Sequence, residues 1–168
     1  MKIIFLSGLI FTFGFSQGFA ENSYAKRVRT THVFQNGIQV KWEVPEIALS
    51  SSIFQQAKNP KIQIRLPHHH DDIFIHAQTL YVDFEREELI LKGNVVARFG
   101  HHIVETQFLH LEFKDPFMRT SDPFVFKQKG RTFKGKGLLV DLKTKQVHLL
   151  YVQNQKQAHL VIPWKEKT

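Results

Sequence analysis

Three short clusters carry the residue types that site chemistry needs. His68-His69-His70-Asp71-Asp72 lines up five consecutive metal-ligating side chains. A structural zinc site draws its ligands from separated positions, and neighbours on an extended chain point to opposite faces. With Pro67 in front, the cluster reads as a solvated loop. His101-His102, just after Gly100, reads as a turn; metal binding there would be adventitious and would require the two histidine clusters to meet in the fold. Glu85, Glu87 and Glu88 are carboxylates of the kind that flank a glycosidic bond, but Arg86 stands among them and a polar turn is expected. The chain has no cysteine. No serine sits in a nucleophile elbow, and no glycine-rich loop leads into a helix. No catalytic, metal or cofactor constellation emerges, so the expectation is a protein that is not an enzyme.

The elements that must position anything else are bounded by size and charge. The chain has 168 residues, with 23 basic and 15 acidic side chains and a pI near 9.8. It opens Met1-Lys2, runs through mostly apolar residues from Ile3 to Phe15, and reaches Gly18-Phe19-Ala20 before the polar Glu21-Asn22-Ser23. That is the layout of an export signal with cleavage after Ala20. The alternative is a short membrane anchor, but a helix over residues 3–15 spans only about 20 Å, against roughly 30 Å of hydrocarbon. The expected organisation is a signal over residues 1–20, a flexible segment over 21–28 and a single domain over 29–168. Loss of the signal leaves 22 basic and 15 acidic groups, so the positive balance persists. It suits an anionic partner such as a lipid headgroup or a polysaccharide. Nucleic acid is not expected, because no recognition-helix pattern is present and the chain is read as exported. Without cysteine an exported chain must rely on an ordinary core, and eleven phenylalanines after residue 20 make one feasible.

Beyond residue 28 the hydrophobic period is two almost everywhere, which predicts an all-β chain. Expected strands include 32–44, 61–66, 103–113, 124–128, 132–142, 147–153 and 158–164. Between them fall turn signals at Gly100, Lys114-Asp115-Pro116, Ser121-Asp122-Pro123, Lys129-Gly130 and Lys143-Thr144-Lys145. Gly93, inside an apolar run, marks a bulge or tight bend. Near Gly135 and Gly137 the inward parity changes, from the set containing Phe133 to the set containing Leu138 and Val140, and a bulge or loop there would restore both sets to one interior. One phrase also recurs at a fixed interval: L-Y-V-D-F-E from Leu80, L-H-L-E-F-K from Leu109 and L-L-V-D-L-K from Leu138. Such a period points to stacked supersecondary units, each a strand and its return.

Several segments in order carry a resemblance: Ala77 to Asp83 (A-x-x-L-x-x-D), Leu89 to Val95 (L-I-L-K-G-N-V), Glu105 to Leu109, Thr120 to Phe124 (T-S-D-P-F), and Gly135 to Asp141 (G-K-G-L-x-x-D). Over about residues 75–152 the chain resembles the periplasmic lipopolysaccharide-transport proteins of the LptC, LptA and OstA-like family. Residues 29–74 match poorly, although a β segment is expected there. A cleavable signal is closer to LptA, whereas LptC proteins usually keep an N-terminal membrane helix.

The resemblance implies a twisted, open β-jellyroll whose stacked antiparallel sheets make a V-shaped trough for lipid A acyl chains. In this chain the trough would be lined by Leu80, Val82 and Phe84 of the first repeat and by Leu89, Leu91 and Val95 of its return. Leu109, Leu111 and Phe113 would follow, then Phe126, Phe133, Leu138 and Val140. Implied partners are lipopolysaccharide, an inner-membrane ABC transporter complex, and an LptA-like protein joined by edge-to-edge strand pairing. The implied location is the periplasm, with tethering to the inner membrane if the N-terminus is retained. The edges expected to dock are near 33–42 and 158–164. Lys58, Lys61, Arg65, Arg98, Lys127, Lys129, Arg131, Lys134 and Lys136 would meet lipid phosphates at the trough's rim or simply solubilise the surface. The competing reading is a closed β-sandwich, as a non-catalytic scaffold or polysaccharide-binding module, with the same side chains packed into its core.

Overall fold

The structure, a computed structural model, describes residues 3–6, 9–12, 24–34, 36–48, 54–67, 72–83, 85–152 and 159–164. Among them every regular element is a strand. Two short strands, β1 (Ile3–Leu6) and β2 (Leu9–Thr12), precede β3 (Tyr24–Val33), β4 (Gln39–Ala48), β5 (Phe54–Lys58) and β6 (Lys61–Arg65). Then follow β7 (Ile73–His76), β8 (Thr79–Asp83), β9 (Glu88–Phe99), β10 (His102–Glu112) and β11 (Phe117–Gln128). The chain ends in β12 (Arg131–Asp141), β13 (Gln146–Val152) and β14 (Leu160–Pro163).

All pairings are antiparallel and belong to one sheet, which runs from β1 through β5, then β8, and on in sequence order to β14. Between β4 and β9 the sheet has two routes. Glu43 of β4 pairs Lys61 of β6, whereas Ile47 pairs Ala57 of β5. Likewise β9 pairs β8 through Lys92 and β7 from Val96 onward. The division continues across the sheet as a line of corners. It passes Arg27 on β3, the break at Asn59-Pro60, the break at Ala77-Gln78 and Gly93-Asn94 on β9. It then passes Gln107 on β10, Ser121-Asp122 on β11 and Gly137 on β12. Arg27, Asn59, Gly93, Asn94 and Gly137 all have φ between 46° and 77°, the left-handed region that bends a strand. The corners fold the sheet into two leaves around one apolar interior, a twisted β-jellyroll.

Polar side chains satisfy the backbone that these corners expose. Thr106 and Thr120 are buried, with hydroxyls 3.3 Å apart; Thr106 donates to the Pro123 carbonyl at 3.0 Å, and the Asp122 amide donates to Thr120 at 3.1 Å. Gln107 accepts from the Asn94 amide and donates back to the Asn94 side chain. At Gly93, whose φ is 76°, an added Cβ would lie 2.2 Å from the Gln78 side chain, and the Gln78 amide bonds the Gly93 carbonyl at 2.9 Å. The bend expected at Gly93 is therefore present. So is the parity change: on β12 the inward set passes from Phe133 and Gly135 to Leu138 and Val140, across a bulge carried by β11 opposite Gly137.

The second leaf, on the β5, β8, β13 and β14 side of the corners, explains the repeat. Leu80, Leu109 and Leu138 are buried next to the corner, and Val82, Leu111 and Val140 one step further out. An apolar row crosses the leaf from Val82 through Leu89, Leu111, Met118, Val140 and Val147 to Ile162. The acidic residue that follows in two repeats starts the turn. Asp83 accepts from the Glu85 and Arg86 amides, and Asp141 from the Lys143 and Thr144 amides. In the first leaf a matching row runs from Trp42 through Ile62, Ile75, Ala97, Val104 and Phe126 to Phe133. Each such side chain contributes roughly 1.5 to 3 kcal/mol on leaving water.

Three local expectations are corrected. Residues 32–44 are not one strand but the end of β3, a turn and the start of β4; Asn36-Gly37, with Gly37 at φ 81°, is a hairpin signal. Ser121-Asp122-Pro123 does not separate two strands, because β11 runs through it as a bulge. His102 is not in a turn but begins β10 and is buried.

Gly135 is held more tightly than Gly37, Gly93, Gly130 or Gly137: an added Cβ would lie 1.8 Å from the Tyr151 carbonyl and 2.9 Å from the Phe124 ring. Gly135→Ala should lower stability by about 1 to 3 kcal/mol, read as a fall in the thermal midpoint by circular dichroism. An unchanged midpoint would show that the corner yields freely.

Candidate functional site

The two leaves meet along two seams, and the seams differ. At the first, the β3–β4 turn of one leaf reaches the β10–β11 turn of the other. Asn36 Nδ2 donates to the Phe113 carbonyl at 2.8 Å, and the Phe34 and Phe113 rings stack at 4.4 Å. His32 lies edge-on to Phe34, and burial lowers its pKa against the opposing pull of Glu87. The space left between these side chains is only about 20 Å³. This seam is shut.

At the second, the ends of β9 to β12 in the first leaf approach β14 of the second. Phe99 meets Trp164 edge-on at 4.9 Å, and the Trp164 amide donates to the Lys145 carbonyl at 2.7 Å. Beside this contact the seam gapes into a recess of about 440 Å³. Phe133, Leu160 and Ile162 give it an apolar wall, and Lys129 and Arg131 a cationic rim beside His101. Among the described residues no strand pairing joins β12 to β14. Phe133 and Leu160 are half-buried against the core, and the Phe133 ring leads inward to Phe126 at 6.0 Å.

His102 stands behind this opening. Its ring lies 5.2 Å from Phe99 and is stacked 5.5 Å from Phe126. The Gln128 amide lies 2.9 Å from His102 Nε2, and an amide N–H donating there needs an unprotonated nitrogen. Burial is the main reason that its pKa falls below the ordinary histidine value. His101 and Lys129 push the same way, and the Phe99 backbone opposes them.

The expected trough residues come together, but not as an open channel. Leu80, Val82, Leu89, Leu91, Val95 and Leu109 are buried against one another, as are Leu111, Phe113, Phe126, Leu138 and Val140. Phe133 alone borders the opening, and Phe84 lies outside the described residues. The edge expected near 33–42 is internal: β4 lies between β3 and β5 or β6, and β2 touches β3 at Thr30 and Thr31. The edge at β14 is present. Of the cations assigned to a rim, only Lys129 and Arg131 border the opening; Lys61, Arg65, Arg98, Lys127, Lys134 and Lys136 sit on the outer surface of the first leaf, and Lys58 on β5.

The tempting clusters resolve differently. His68 to Asp71 lie outside the described residues, and Asp72 pairs Arg65 at 3.0 Å. Glu85 is exposed in its turn, whereas Glu88 begins β9 and lies 3.1 Å from His110 Nε2. Among the described residues no group of three or more His, Cys, Asp or Glu is placed to hold a metal ion, and no helix is long and apolar enough to cross a membrane. The seam residues Phe34, Phe99 and Trp164 were missed as a group. Their inward parity was legible, but their meeting across the leaves was not.

The family of LptC-related lipopolysaccharide-assembly proteins matches residues 74–155, the stretch from β7 to just past β13. Over that stretch, a little under half of its length, the chain is similar to this family. No curated protein matches it. Members of that family have a role in lipopolysaccharide transport at the cell envelope. The matched segment contributes most strands of both leaves and carries Gly93, Gly135 and Gly137.

A histidine whose folded pKa is depressed leaves stability intact above its unfolded value and drains it below, because the unfolded chain takes up a proton that the folded one refuses. Stability should therefore fall as pH drops below about 6.5, down to the lowered pKa of His102. His102→Phe, which keeps an aromatic ring between Phe99 and Phe126, should reduce that slope in urea titrations between about pH 7.5 and 5. An undiminished slope would remove His102 as its source.

Proposed function

We propose that this chain is a bridge component of lipopolysaccharide export. It accepts lipopolysaccharide from an inner-membrane ABC transporter and passes it toward the outer membrane through an LptA-like partner. Lipid A acyl chains enter between the leaves through the β12–β14 seam, and direction comes from ATP hydrolysis at the transporter. The observation that carries this reading is the seam itself: the apolar interior shared by both leaves reaches a surface recess past the half-buried Phe133 and Leu160, beside the cations Lys129 and Arg131. Each methylene moved from water into such an interior is worth about 0.8 kcal/mol. Acyl chains can thus replace the contacts that Leu91, Leu111 and Phe126 make within the core when the leaves part. Anionic headgroups remain outside, near the cationic rim.

The same reading assigns partner docking to unpaired edges, by strand addition at β14 or at the outer edge of β3. Residues 1–20 act as the export signal. Their removal would take β1 and β2 from β3 and leave that edge free. The mass of the mature N-terminus tests this step.

A second reading has a specific observation in its favour. Leu80, Leu91, Leu111 and Val140 are fully buried, as in a closed β-sandwich serving as a scaffold or a polysaccharide-binding module. Photo-crosslinking residues at Leu91, Leu111 and Phe133 separate the two in cells. Lipopolysaccharide should be captured from all three positions and not from Lys92 on the outer surface of the second leaf. Capture confined to Lys92, or absent throughout, would leave the closed scaffold.

A further inference from the structure

We propose that the outer surface of the first leaf is a docking face for an anionic membrane surface. It goes beyond the transport reading, because it uses the side of the sheet that faces away from the interior.

The charge on the two outer surfaces is unequal. On the first leaf the described carboxylates are each held by a cation: Glu43 by Arg29 at 3.0 Å, Asp72 by Arg65 at 3.0 Å and Glu105 by Lys127 at 2.6 Å. Lys41, Lys61, Arg98, Lys134 and Lys136 are exposed on the same surface, and none is within 4.0 Å of a described carboxylate, although Lys41 is near enough to Asp72 to help hold its pKa down. The second leaf alternates instead. Asp83, Glu88, Glu112 and Asp141 offset Lys58, Lys92 and Arg119, and a mixed row through Ile90, His110, Leu139 and Val161 crosses its middle.

The spacing of the cations selects the kind of anion. A single phosphate is held by donors that converge on one point. These five are spread from β4 to β12, seven strands at about 4.8 Å, or nearly 30 Å. Such a spread fits a plane of headgroups. An aromatic side chain stands on the same surface: Phe74 is 46% exposed, pairs in register with Arg98, and borders a recess of about 400 Å³ with Arg29, Lys41, Lys61 and His76. A ring among cations is the pattern of a side chain that dips into the interfacial zone while its neighbours hold the headgroups. Each cation close to an anionic bilayer adds a few-fold to the partition coefficient, and the effect fades within a Debye length of about 8 Å.

Sedimentation of the purified chain with vesicles tests the assignment. Binding is expected to vesicles containing phosphatidylglycerol and not to phosphatidylcholine alone, and high salt should release it. Lys41→Gln and Arg98→Gln should each weaken partitioning about fivefold, and Phe74→Ala should weaken it further. Arg119→Gln, on the opposite leaf, should leave it unchanged. Binding that ignores the anionic lipid, or equal losses from either leaf, would overturn the proposal. So would salt-sensitive capture by an acidic polypeptide with none by vesicles, which would make the face a protein-docking surface. Crosslinking of lipopolysaccharide from Leu91 in the same variants separates the two readings: loss of vesicle binding with capture retained defeats only the membrane face, and the converse defeats only the transport interior.

Discussion

Everything in this molecule depends on a row of backbone corners. A wide antiparallel sheet with one apolar face cannot leave that face in water, and a sheet of continuous strands resists sharp folding. Here nearly every strand is broken, bulged or turned at the same level, from Arg27 through Gly93-Asn94 to Gly137. The aligned corners let one sheet close on itself. Buried hydroxyls at Thr106 and Thr120 and the Gln107–Asn94 pair satisfy the hydrogen bonds that the bends disrupt, so the fold loses little at the one place where its ladder fails.

Folding a single sheet also decides where the molecule can open. Along the corners the leaves are joined covalently and by ladder hydrogen bonds. Along the seams they are joined by side chains, with single polar contacts such as Asn36 to Phe113. The first seam is filled by stacked rings, whereas at the second the half-buried Phe133 and Leu160 border a recess. The looser contact between the leaves therefore lies on the β12–β14 side, and His102 behind it ties the packing there to the protonation of one buried ring. The two outward surfaces follow from the same arrangement: residues that alternate with the core rows must face solvent, and their charges fall unequally on the two leaves.

Much of this was legible in the residues. Period-two alternation gave the strands, and the recurring phrase at Leu80, Leu109 and Leu138 marked units that proved to be successive strand pairs of one leaf. Gly93, and the parity change near Gly135 and Gly137, pointed to bends that are present. These signals are local: alternation and glycine both act within a few residues. The same locality explains the errors. Asn36-Gly37 was overlooked inside an alternating run, and Ser121-Asp122-Pro123 resembles a turn, because a bulge and a turn use the same residue types.

The amino-acid order alone established an all-β chain, its turns, its inward-facing residues and its basic balance, since each depends on neighbours along the chain. It did not establish that the corners of successive strands would align into one line. Nor did it say that Phe34 would meet Phe113 and Phe99 meet Trp164, or which cations would face the opening and which the outer surface. Those outcomes depend on register between strands distant in sequence, and a shift of one residue would turn each side chain to the other face.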